Sequence, residues 1–95
     1  MIEPSLLVLS SLAEGDKHGY AMMMDIEAFS GIRLGAGTLY GAITRLEERG
    51  FIRALESDDR RRPYRVTAAG RRHLNEQLSM LDRTAKVGLD RLRRV

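Results

Sequence analysis

Short segments rich in glycine and acidic residues interrupt this chain repeatedly and limit the length of the elements it can form. The breaks lie at Pro4, Glu14-Gly15-Asp16, Gly31 to Gly37, Gly50 and Ser57-Asp58-Asp59. Helices and strands this short are not stable in isolation, because most of their stability comes from packing an apolar face. We therefore expect several short elements that share one core.

The first element is apolar on almost every side. From Ser5 to Leu12 the sequence predicts a helix, and its apolar residues point in several directions: Leu6, Leu7, Val8, Leu9 and Leu12. A helix of this kind needs cover on two sides.

The second helix is predicted from near His18 to Gly31, because glycine commonly ends a helix. Tyr20 lies well away from its apolar stripe. That stripe follows helical spacing and should be buried: Met22, Met23, Ile26 and Phe29.

The third helix is predicted to start within Gly35 to Thr38 and to run to Arg49. Its buried face should contain Leu39, Ala42, Ile43 and Leu46. Its opposite face should present Gly41, Thr44, Arg45 and Glu48.

The second half of the chain predicts a hairpin and a long helix. Residues 51–56 read as a strand, residues 57–62 as a charged turn, and residues 63–66 as an edge strand that tolerates Pro63. Thr67 then caps a fourth helix from about Ala68 to near the C-terminus, in which Gly70 weakens the first turn. Three helices, a hairpin and a helix predict a mainly α (α+β) winged helix-turn-helix.

Composition limits the chemistry that this chain can perform. Its 95 residues describe one compact unit, with a winged-helix part over residues 1–67 and a C-terminal helix over 68–95, and so short a chain is expected to oligomerise. There is no cysteine, and two isolated histidines cannot hold a metal, so we expect no metal site, no cofactor and no enzymatic activity. No signal peptide or membrane span is recognisable, which predicts a cytoplasmic protein with no membrane partner.

Positive charge is concentrated in the second half of the chain. Residues 1–50 hold four basic and seven acidic residues, whereas residues 51–95 hold twelve and six. Fourteen of the sixteen basic residues are arginine, which pairs with phosphate and guanine but also reflects a GC-rich genome. Composition alone leaves both interpretations open.

Five motifs, in order, resemble those of the PadR family of transcriptional regulators. They are Leu6-Leu7-Val8-Leu9 to Leu12-Ala13-Glu14-Gly15, His18-Gly19-Tyr20, Gly37-Thr38-Leu39-Tyr40, Arg45 to Ile52, and Tyr64-Arg65-Val66-Thr67-Ala68-Ala69-Gly70. The resemblance covers about Pro4 to Leu78 and is to the small subgroup with a single C-terminal helix. It implies a homodimeric repressor whose third helix enters the major groove of double-stranded DNA. It also implies that the wing lies along the DNA backbone and that the C-terminal helix, assisted by the first helix at Leu6 and Leu9, forms the dimer.

The third helix carries the candidate base contacts. Gly37, Gly41 and Thr44 leave its outward face low, and Arg45 supplies a long donor. Thr38 and Tyr40 lie near its start, where a recognition helix meets the groove, although Thr38 could instead be an N-cap and Tyr40 an aromatic residue at the edge of the core.

The wing and the second helix carry the candidate backbone contacts. Arg60, Arg61 and Arg62 open a stretch over residues 60–72 that contains no acidic residue, although a solvated basic loop would look the same. By family position we favour Tyr20 over His18 as a backbone contact, the alternatives being a packed tyrosine and a capping histidine. Tyr64 of the wing completes the candidate set. His73, alone on its helix, is expected to be a solvated surface residue.

The fourth helix carries a seam of apolar and small residues with 4-3-4-3-4 spacing: Leu74, Leu78, Leu81, Ala85, Gly88 and Leu92. A helix of this length exceeds what its own domain can cover, so the seam predicts a homodimer rather than a helix folded back on itself. The alternative function is a winged-helix protein-protein interaction module without specific DNA binding. A small-molecule effector, if one exists, is not identified by the sequence.

Overall fold

The computed structural model describes residues 2–58 and 60–94; Met1, Val95 and Asp59, which we placed in the predicted turn, lie outside the described residues. Its elements are α1 (Pro4–Glu14), α2 (Gly19–Ser30), α3 (Ala36–Glu48), β1 (Ile52–Ala54), β2 (Tyr64–Val66) and α4 (Ala68–Arg93). The predicted winged helix-turn-helix is therefore confirmed, with strands shorter than expected.

Helix α1 lies at the centre of the core. It packs against α2, α3, α4 and β2, which supplies the cover on two sides that its sequence requires. Val8 and Leu9 are completely buried. The predicted buried face of α3 is also confirmed, since Leu39, Ala42, Ile43 and Leu46 all lie in this core.

The prediction that the apolar stripe of α2 is buried is only partly correct. Met22 and Ile26 are completely buried, but Phe29 is half exposed. Phe29 lies on the last turn of α2, beyond the core, where it lines an open groove beside α1 and α4.

Two of the helices are capped by side chains as the sequence suggests. Thr67 accepts a hydrogen bond from the Gly70 N–H at 3.1 Å, which confirms the predicted cap of α4. His18 accepts one from the Ala21 N–H at 3.2 Å, so the alternative of a capping histidine is correct. Gly35 precedes α3 without a side-chain cap, and the N-cap interpretation of Thr38 is wrong.

The wing, which consists of β1, β2 and the segment between them, is attached to the turn between α1 and α2. Strands β1 and β2 are antiparallel, and Tyr64 also exchanges backbone hydrogen bonds with Lys17 at 2.9 and 3.3 Å. Strand β2 is an edge strand of this two-stranded sheet, as predicted, and its outer side is bridged to Lys17 at Tyr64. Pro63 is tolerated because it contributes only its carbonyl, which accepts from the Leu55 N–H at 2.8 Å.

An ion pair reinforces this attachment. The Arg65 guanidinium donates to both carboxylate oxygens of Asp16, with a shortest distance of 2.7 Å. This hydrogen bond, together with the nearby positive charges of Arg65 and Arg53, holds the pKa of Asp16 below its ordinary value of 3.8. Asp16 is thus charged at neutral pH and fixes one end of the wing.

Replacing Asp16 should make the stability of the fold less dependent on pH in the acidic range. Because the pKa of Asp16 is lowered by folding, its stabilisation is present above pH 3.8 and is lost as the pH falls through the folded-state pKa. We expect Asp16→Asn to lower the melting temperature at neutral pH and to match the wild type in strong acid. Arg65→Gln should remove the same pH dependence. A difference from wild type that stays constant from neutral pH into strong acid would contradict this assignment.

Glycine at position 70 lets the start of α4 lie close to the backbone of Phe51, just before β1. A Cβ atom there would collide with the carbonyl oxygen of Phe51 and would lie 2.9 Å from the Val66 Cγ2 atom. Just beyond, the His73 ring stacks on the Phe51 ring with centroids 4.4 Å apart. His73 is therefore half-buried packing and not the solvated residue that we expected.

Alanine at position 70 should destabilise the fold although it favours helix. The obstacle is backbone, which cannot move aside, so we expect Gly70→Ala to cost about 1 to 3 kcal/mol of unfolding free energy. Gly37→Ala is the matched control, because a Cβ there meets nothing within 4 Å. The control should stabilise by about 0.5 to 1 kcal/mol. Urea unfolding measures the stability of both variants. If Gly70→Ala leaves the unfolding free energy unchanged, the close contact with the Phe51 backbone can relax.

Beyond the core, α4 extends into solvent. Every residue from Leu78 to Arg94 is exposed, and the chain measures 57 × 26 × 20 Å. No helix among the described residues is both long and apolar enough to cross a membrane.

Candidate nucleic-acid interface

The outward face of α3 carries few side chains, and we call it the low face. At 100° per residue, Gly37, Gly41, Thr44 and Glu48 fall within about 60° of one another, opposite the buried face. A Cβ at Gly37 would meet nothing within 4 Å, and one at Gly41 would meet only the Arg45 Nη1 atom at 3.4 Å. Packing within the protomer therefore does not require either glycine, although each costs about 0.5 to 1 kcal/mol relative to alanine in a helix.

Two polar side chains rise from this face. Thr44 is exposed, and its hydroxyl donates to the Tyr40 carbonyl oxygen at 2.9 Å. Arg45 is exposed beside it, with its guanidinium over Gly41, and makes no ion pair with any described residue. Thr38 is also exposed, on the uncapped first turn.

A cleft of about 290 Å³ separates the start of α2, the start of α3 and the wing. It brings together most of the predicted backbone contacts, which are far apart in sequence. Its lining residues are His18, Gly19, Tyr20, Tyr40, Arg60, Arg61, Arg62 and Tyr64.

The three tyrosines reach the cleft in different ways. Tyr20 is 59% exposed, so the packed alternative for it is wrong. Tyr40 is half exposed and lies directly over Gly19, where a Cβ would collide with its hydroxyl group. Tyr40 therefore needs Gly19 for its position, a relation that the sequence alone did not reveal.

Tyr64 is half buried at the inner wall of the cleft. Its burial raises its pKa above the ordinary value of 10.0, and the negative charge of Glu47 adds to this effect. The phenol is therefore protonated at neutral pH and can donate a hydrogen bond into the cleft.

The basic surface is narrower than the sequence suggested. Within the acid-free stretch, Arg65 is paired with Asp16, and Arg71 donates to the Ala13 carbonyl oxygen at 3.4 Å. No ion pair joins Arg60, Arg61 or Arg62 to another described residue, and all three are exposed. These three arginines thus form an exposed basic cluster at the tip of the wing.

The predicted dimer residues fall into two groups. Leu9 and Leu74 are buried in the protomer's own core, so neither is available to a partner. Leu6, Leu78 and Leu81 line an apolar groove of about 260 Å³. The remaining predicted residues, Ala85, Gly88 and Leu92, are exposed on the extension of α4. Exposed apolar residues that we did not predict also lie on these surfaces, among them Ile2 and Phe29 in the groove and Leu89 on α4.

Several solved structures share this fold. A transcriptional regulator from Clostridium thermocellum is 31% identical, with a TM-score of 0.79 over 88% of this chain and 84% of that one. A PadR family regulator from Eggerthella lenta is 33% identical, with a TM-score of 0.78 over 93% of this chain and 79% of that one. A PadR family regulator from Clostridium difficile is 25% identical, with a TM-score of 0.82 over 90% and 94%.

A longer protein also contains a related segment. An uncharacterised 37.1 kDa protein in transposon Tn4556 of Streptomyces fradiae is 46% identical over 81 residues, which is 85% of this chain. The chain spans about a quarter, 24%, of that relative's length. The family model for PadR-like transcriptional regulators matches residues 8–76. The chain therefore belongs to the PadR-like family of transcriptional regulators, and its fold is that of a winged helix.

Proposed function

We propose that this protein binds a palindromic DNA operator as a homodimer and represses transcription from it. The observation that carries the proposal is the cleft beside α3, in which three tyrosines and three arginines converge from three separate elements, and none of these arginines is ion-paired with a described residue. Phosphate oxygens accept hydrogen bonds from hydroxyl and guanidinium groups, and these contacts position a protein on duplex DNA without reading sequence.

The cleft and α3 divide the work of binding. The arginines at positions 60, 61 and 62 neutralise phosphates, and the hydroxyls of Tyr20, Tyr40 and Tyr64 orient the backbone beside them. Helix α3 then enters the adjacent major groove with its low face forward. Arg45 has the length and the two parallel donors needed to contact a guanine edge.

The start of α3 supports this orientation. Gly35 provides no side-chain cap, and no described residue accepts a hydrogen bond from the N–H groups of Ala36, Gly37 or Thr38, so these groups can donate outward. Such a helix terminus favours an anion. With the cleft next to it, the first turn of α3 provides a second phosphate contact.

The exposed part of α4 supports the homodimer. Leu78 and Leu81 line the groove, and Ala85, Leu89 and Leu92 continue the apolar face along the helix. A two-fold axis through this face places the exposed end of each α4 against the other protomer. The groove and the extension of α4 are then covered in the same interface. The same axis relates the two copies of α3, so the operator must be an inverted repeat.

Selection of bound fragments from a random duplex library tests the proposal. We expect an inverted repeat whose half-site centres lie about one helical turn, roughly 10 base pairs, or a multiple of it apart. Affinity for the selected duplex should fall with salt, at about 0.9 in log affinity per log salt for each phosphate contact. Fluorescence anisotropy over a salt series measures this slope.

The wing is tested by removing its charge. Combining Arg60→Ala, Arg61→Ala and Arg62→Ala should flatten the salt slope and weaken selected and random duplexes alike. The matched control removes three arginines at the far end of α4, Arg91, Arg93 and Arg94, and should change the slope much less. An equal loss in both variants would show that net charge alone matters. If the library yields no enriched sequence and the protein shows no salt-dependent binding to duplex DNA, the alternative of a protein-protein interaction module is favoured.

The dimer is tested with two neighbouring residues of α4. Leu81 and Met80 are similarly exposed, at 48% and 52%, but they point about 100° apart. Leu81→Asp should raise the dimer dissociation constant on the order of tenfold or more, because it buries a charge in an apolar seam. Met80→Asp, which adds the same charge off the seam, should have little effect. Sedimentation equilibrium measures both, and a folded wild-type monomer at micromolar concentration would overturn the dimer and the inverted repeat.

A further inference from the structure

Thr44 occupies the middle of the low face of α3. Gly37 and Gly41, which precede it on that face, have no side chains, and Glu48 follows one turn later at the end of the helix. Along this face, Thr44 is therefore the first residue that has a side chain. A base edge that approaches the two glycines closely must also meet Thr44.

The hydroxyl of Thr44 is already engaged. It donates to the Tyr40 carbonyl oxygen at 2.9 Å, and a threonine hydroxyl has only one proton to donate. While it makes this bond, it does not donate to N7 or O6 of a purine or to O4 of thymine. The same bond selects one staggered rotamer, so the Cγ2 methyl group takes another position, turned away from the carbonyl.

Two contacts in the major groove remain open to such a side chain. The hydroxyl oxygen can accept a hydrogen bond from the amino group of adenine or cytosine, or the methyl group can pack against the 5-methyl group of thymine. The hydroxyl is drawn back toward the helix backbone, whereas the methyl group is free. The two glycines also allow the close approach that a van der Waals contact needs.

We propose that Thr44 reads a thymine in each half-site through contact between its Cγ2 methyl group and the thymine 5-methyl group. This inference rests on the proposed DNA-binding function and names one base that α3 selects. Thr44 thus contributes shape and apolar contact, while Arg45 beside it contributes hydrogen bonds.

The test separates the methyl group from the hydroxyl group on both molecules. On the DNA, each thymine of the selected duplex is replaced by deoxyuridine, which removes only the 5-methyl group. On the protein, Thr44→Val keeps a methyl group at each branch and removes the hydroxyl, whereas Thr44→Ser keeps the hydroxyl and removes the methyl group. Position 44 is exposed, so both variants should fold, and circular dichroism verifies this.

We expect one thymine per half-site at which deoxyuridine lowers wild-type affinity roughly fourfold, the factor that corresponds to burying one methylene-sized group. Thr44→Val should keep this discrimination. Thr44→Ser should bind both duplexes equally, at about the reduced level. Replacing that base pair with one that carries 5-methylcytosine should restore part of the wild-type affinity.

Other outcomes overturn the inference in distinguishable ways. If Thr44→Ser keeps the discrimination and Thr44→Val loses it, the hydroxyl is the reading group. If no deoxyuridine substitution matters although the library yields a clear inverted repeat, Thr44 reads no thymine and the proposed function stands. If the library yields no enriched sequence, both proposals fail.

Discussion

Burial of α1 on two sides is the constraint on which the rest of this structure depends. Val8 and Leu9 are completely enclosed, and the helix touches every other helix and one strand of the wing. A core built around one such helix leaves its neighbours little freedom, because interiors are close-packed and a displaced element opens a void. The starts of α2 and α3 and the wing are thereby held at fixed positions around one cleft.

Polar contacts add a second level of order at the turn between α1 and α2. Lys17 donates to the Ser11 carbonyl oxygen at 2.6 Å, and the Ser11 hydroxyl donates to Asp25 at 2.6 Å. The same Lys17 pairs its backbone with Tyr64. The turn is thus fixed to α1 and α2 on one side and to the wing on the other, and these contacts help to hold the arginine-bearing tip relative to α3.

Periodicity predicted the elements well, because local spacing determines which face of a helix is apolar. The buried face of α3 and the caps at His18 and Thr67 follow from residues that are close in sequence. Errors arose where a distant residue decides the outcome. The pairing of Arg65 with Asp16, 49 positions away, removed a cation that composition counted as available. Phe29 has the spacing of a buried residue, but its burial depends on what lies opposite the end of α2, and spacing carries no information about that.

In the proposed dimer, the seam on α4 also controls how the two recognition helices meet the DNA. A slip of one helical turn between the two copies of α4 would displace one protomer by about 5.4 Å, whereas successive base pairs are about 3.4 Å apart. Such a slip would take one α3 out of register with its half-site. Large residues lie at the two ends of this seam, Leu78 and Leu81 at one and Leu92 at the other, with the small residues Ala85 and Gly88 between them. This uneven profile opposes slipping because bulky side chains fit opposite small ones in only one alignment. The requirement for a fixed half-site spacing therefore gives a physical reason for a seam that is poor in apolar area but uneven in shape.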